Sequence, residues 1–71
     1  MTPMENRIYV ALTSEPSFPG QIADRAGLRN YASPRETAAT FCRRLVKKGL
    51  AVRTGPAMHP RWHRAPVVDG D

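Results

Sequence analysis

A chain of 71 residues allows one domain with a small core, close to the lower limit of unaided folding. It contains no apolar run near the roughly 18–20 residues that span a bilayer, no leader-like charge-then-apolar opening, and a single cysteine, Cys42, which excludes an internal disulfide and fits a reducing cytoplasm. The net charge of +5 is unevenly placed: residues 1–32 balance, residues 33–64 carry a net +7 and the last seven residues −2, so the basic stretch reads as the footprint of a polyanion partner.

The first helix is expected from Pro3 to about Thr13. Thr2-Pro3-Met4-Glu5 supplies a capping hydroxyl, a first-turn proline and a glutamate able to reach back, while Met4, Ile8, Ala11 and Leu12 share one face. Ser14-Glu15-Pro16-Ser17 breaks it. A short second helix is expected from about Pro19 to Ala26, buried through Ile22, Ala23 and Ala26, ended by Gly27 and followed by Leu28 turning into the core. Ser33-Pro34-Arg35-Glu36 repeats the start signal and opens a third helix of about residues 34–48. Ala38, Phe41, Cys42 and Leu45 fall on its inner side; Glu36, Thr40, Arg43 and Lys47 line the outer side, with Arg44 flanking. Gly49 ends that helix. The period then changes from 3.6 to 2, and Leu50 to Arg53 reads as a strand. A turn over Gly55–Pro60 returns the chain as Arg61-Trp62-His63-Arg64, with Trp62 inward and Arg61 and His63 outward. Residues 1–65 are expected to form the domain and residues 66–71 a flexible tail.

Three helices followed by a basic hairpin give an α+β class. The stretches GQIADRAGL (20–28) and FCRRLVKKGLAVR (41–53) resemble, respectively, the second helix with its turn and the recognition helix running into the first wing strand of winged helix-turn-helix proteins of the MarR and ArsR type. The resemblance implies a two-stranded β-hairpin wing over residues 50–64 and a double-stranded DNA partner. GPAMHPRWHR (55–64) also resembles the wing of Zα domains, which bind left-handed nucleic acid. Pro60 and Trp62 match that wing, but Ala39 and Arg43 stand where Zα has an asparagine and a tyrosine.

If the third helix enters a major groove, Thr40 and Arg43 are placed to reach base edges, Arg43 in bidentate fashion to a guanine. Arg35, Arg44 and Lys47 on the helix and Arg53, Arg61 and Arg64 on the wing suit phosphates. Glu36 opposes this on the same face unless a capping role or a cytosine amino group holds it. Trp62, Tyr9 and Tyr31 are read as core aromatics, and Cys42 as a small buried hydrophobe. Cys42, His59 and His63 lack the spacing of a metal site, so neither a metal nor another cofactor is expected. The dispersed acids and the absence of a nucleophile–base set or phosphate loop argue against an enzyme. The sequence thus predicts a small DNA-binding transcriptional regulator without a membrane partner, cytoplasmic or nucleoid-associated. It would act alone, pair through its first helix or work beside another protein. The rival is a winged helix whose basic side meets an acidic protein.

Overall fold

The start signal at the N-terminus forms as expected in the computed structural model, which describes residues 1–66. Thr2 Oγ1 accepts from the Glu5 amide at 3.2 Å, and Glu5 Oε1 accepts from the Thr2 amide at 2.8 Å, setting the start of helix α1 (Pro3–Ala11). The same pattern at Ser33 starts helix α3 (Pro34–Lys47) without a capping box. Ser33 sits at φ −135°, ψ 74° where Thr2 has φ −70°, ψ 161°, so its hydroxyl caps nothing and only its carbonyl joins the helix, accepting from Thr37. Helix α2 (Pro19–Arg25) has half of such a box: Gln21 Oε1 accepts from the Phe18 amide at 2.9 Å, and the phenyl ring has nothing to return.

Helices α2 and α3 end on the same Gly-Leu device. Gly27 and Gly49 adopt φ of 75° and 77°, and the following amides, Leu28 and Leu50, donate back to Ala23 and Leu45 at 3.0 and 2.9 Å. This closes the last carbonyls and turns each leucine toward the core. Helix α1 stops at Ala11, two residues earlier than its pattern suggests. Leu12 is already extended (ψ 144°) because the chain must run out to meet the sheet. The Thr13 carbonyl accepts from the Arg64 amide at 2.8 Å, and Ser17 exchanges two backbone bonds with Trp62 at 2.9 and 3.0 Å.

Strand β1 (Ala51–Thr54) pairs antiparallel with β2 (Arg61–Arg64), from Ala51 opposite Arg64 to Thr54 opposite Arg61. The Ser17 bridge adds a one-residue third rung from the α1–α2 connection. Three helices followed by this hairpin give an α+β layout consistent with a winged helix-turn-helix. The hairpin is called the wing below. Strand β1 starts one residue later than expected and buries Ala51, leaving Leu50 and Val52 half-covered.

The core lies where the inner sides of the three helices meet the wing root: Ile8, Leu12, Ile22, Leu28, Cys42 and Leu45, with five small alanines between them. Trp62, 1% exposed, is its largest side chain and hides on the order of 200 Å² of apolar surface, about 5 kcal/mol by area. Its Nε1–H finds no acceptor among the described residues. Tyr9 packs at the margin of this core, whereas Tyr31, expected inside, is 42% exposed. No helix among the described residues is long and apolar enough to cross a membrane. Pro66 is the last described residue; the rest of the expected tail lies outside the described residues.

Candidate nucleic-acid interface

Eleven basic side chains divide by what they touch. Four are built into the fold. Arg7 Nη2 donates to the Ala26 and Gly27 carbonyls at 2.7 and 3.2 Å, closing the end of α2. Arg25 Nη1 donates to Ser17 Oγ at 3.0 Å and reaches the Ala11 carbonyl at 3.5 Å. Lys48 Nζ lies 2.8 Å from Glu5 Oε2. The hydrogen bond from Lys48, followed by that from the Thr2 amide, pulls the Glu5 carboxyl down to about 2.

Arg64 is the fourth, and it departs from its expected place at a phosphate. Its Nε donates to the Tyr9 carbonyl at 3.2 Å, its Nη2 to the Val10 carbonyl at 3.3 Å, and its guanidinium lies 4.6 Å over the Tyr9 ring. Helix α1 has no basic residue in its own last turn, so Arg64 and Arg25 bring positive charge to its negative end from β2 and α2. The inward face of β2 carries Arg64 along with Trp62, since the two lie two positions apart with only His63 between them.

The remaining seven, Arg29, Arg35, Arg43, Arg44, Lys47, Arg53 and Arg61, are exposed, and their side chains meet no carboxylate among the described residues. Arg44 lies over the Phe41 ring at 4.8 Å and Arg61 over the Phe18 ring at 4.4 Å. Such stacking covers one face of each guanidinium and leaves its N–H edge open. The outer row of α3 is solvent-exposed at Glu36, Thr40, Arg43 and Lys47, with Thr40 and Arg43 about one turn apart near its middle. Arg35 leans against α2 where that helix has a glycine: a Cβ on Gly20 would stand 3.2 Å from Arg35 Nε.

Arg29 was not visible as a site residue from sequence. It falls in the half of the chain whose charges cancel, and only the structure shows that the other two cations there, Arg7 and Arg25, serve helix ends. Its one sequence signal is position, two residues past the glycine that stops α2, where a side chain faces outward.

The first turn of α3 and the wing tip share one open groove of about 990 Å³. Its walls include Arg29, Arg35 and Phe18, the tip residues Met58, His59 and Pro60, and two acids, Asp24 and Glu36. With no box at Ser33, Glu36 has no capping role and stays an exposed carboxylate at the groove. The groove is therefore mixed in charge, whereas Arg43, Arg44 and Lys47, further along α3, lie outside its walls.

Three other residues are accounted for by packing. Trp62 is too buried to stack on a base, so one of the two residues that match the Zα wing lies in the core. Cys42 is fully buried, and desolvation pushes its thiol up to about 12. His63 Nδ1 donates to the Arg64 carbonyl at 2.8 Å while His59 sits exposed at the tip, and no three metal-ligating side chains come together among the described residues.

Compared with known proteins, the chain matches no family model, no curated protein and no solved structure. Its likeness to winged helix-turn-helix proteins rests on the order of its elements and the quoted stretches alone.

Proposed function

We propose that the protein binds double-stranded DNA sequence-specifically as a small transcriptional regulator. The observation that carries this reading is the division of its cations: four are absorbed by helix ends and a buried carboxylate, and seven are exposed without a carboxylate partner among the described residues. They concentrate on the outer row of α3, the turn before it and the wing. A helix 10–12 Å across fits a major groove about 12 Å wide. There Thr40 and Arg43 read base edges, while Arg29, Arg35, Arg44, Lys47, Arg53 and Arg61 neutralise phosphates. Arg64 leaves the contact set because its guanidinium holds α1.

Titration against random-sequence duplex DNA at two salt concentrations tests the reading. Six phosphate contacts give a log–log slope of about −5. A slope near zero, or no binding at low salt, supports the other reading, a module that meets an acidic protein. The feature that favours this second reading is the groove itself, where Asp24 and Glu36 sit beside Arg29 and Arg35. Like-signed DNA phosphates are repelled by such acids, whereas a polypeptide carries both charges.

A further inference from the structure

We propose that the wing tip is an apolar wedge that opens a base step and bends the duplex; this rests on the DNA-binding reading above. Met58 is 87% exposed, more than the other large apolar side chains of the described residues. It projects from a turn drawn tight by its own chemistry. Gly55 has φ 85°, and a Cβ there would lie 2.9 Å from the His59 carbonyl. The His59 amide donates to the Pro56 carbonyl at 3.0 Å, and Pro56 and Pro60 fix φ on either side. A methionine held there serves no core, and methionine is among the side chains that proteins insert between stacked bases from the minor groove.

Charge and stiffness fit the same role. Arg53 pairs across the hairpin with Trp62, and Arg61 with Thr54, so the two arginines flank the tip on opposite faces of the wing. A tip entering the minor groove has a cation for each strand's phosphates. A wedge also needs a firm base, or it folds back instead of deforming the DNA. This wing is tied down by the two Ser17–Trp62 backbone bonds, by the Arg61 stack on Phe18 and by Arg64 on the end of α1.

The test is ligase-driven ring closure of a mixed-sequence duplex of about 150 bp, one persistence length, with anisotropy reporting binding at the same low salt. The wild-type protein is expected to accelerate closure about tenfold or more. Met58→Ala keeps the affinity within about threefold and the same salt slope, yet returns closure to the rate of bare DNA. Met58→Leu retains the acceleration. Met58→Lys binds more tightly and does not accelerate. Wild-type protein that is fully bound without faster closure, or Met58→Ala closing as fast as wild type, overturns the wedge and leaves DNA binding standing. No wild-type binding at low salt overturns both.

Discussion

Replacing Arg64 by alanine separates the structural cations from the surface ones. The change removes the half-buried bond to the Tyr9 carbonyl, worth about 1 kcal/mol, and the more exposed bond to Val10, worth a few tenths. It also removes a positive charge at the end of α1, about 0.5 kcal/mol, and the stack on Tyr9, about 0.5 kcal/mol. These share one group and do not simply add, so the expected loss is about 2 kcal/mol. For a domain of this size that is a large share of the total, and Tm falls by roughly 8–16 °C. Arg61→Ala loses only an exposed stack and about 0.5 kcal/mol. Thermal unfolding by circular dichroism gives the first half of the comparison, and DNA titration at 10 °C, where both variants are folded, gives the second. Arg64→Ala should keep the wild-type salt slope, whereas Arg61→Ala should lower its magnitude by about 0.9. The reasoning is refuted if Arg64→Ala melts within 3 °C of wild type or loses a unit of salt slope.

Arg43→Ala should flatten the sequence preference found by selection from a random duplex library, while Lys47→Ala weakens all sequences alike; equal losses for both would remove base reading from Arg43. Arg29→Ala should reduce the magnitude of the salt slope by about 0.9 without moving Tm, as checked by anisotropy and melting. Because the folded Glu5 carboxyl lies at about 2, below its ordinary 4.5, its contribution is complete above pH 4.5 and fades as pH falls toward 2. Acid unfolding curves of wild type and Glu5→Gln should therefore converge over that window, with the variant the weaker at neutral pH. Cys42, buried and with its thiol pushed up to about 12, should react with an aromatic disulfide reagent only as fast as the protein opens, so urea and reagent accessibility should report one transition.

The elements were legible because their signals are local. A proline behind a hydroxyl starts α1 and α3, a Gly-Leu pair ends α2 and α3, and apolar spacing of three and four picks out Ile8, Ile22, Cys42 and Leu45 as inner residues. What stayed hidden depends on partners far along the chain. Nothing near Arg64 says that its guanidinium meets carbonyls 54 and 55 residues earlier. Charge density alone therefore assigned it to a phosphate, and the cancelling charges of the N-terminal half concealed Arg29. Ser33 shows a different failure: the capping pattern was present, but the turn from Tyr31 delivers the serine with the wrong backbone angles. The Ser17 rung is one residue long and leaves no period to detect.

The ties between β2 and the first quarter of the chain also decide when this domain can exist. Trp62 and Arg64 complete a core and a helix end begun at Ile8 and Tyr9, so an emerging polypeptide gains little until residue 64 has left the ribosome. Such long-range closure is the kind of contact that slows folding, because the loop from the first helix to the second strand must close before its bonds repay the entropy.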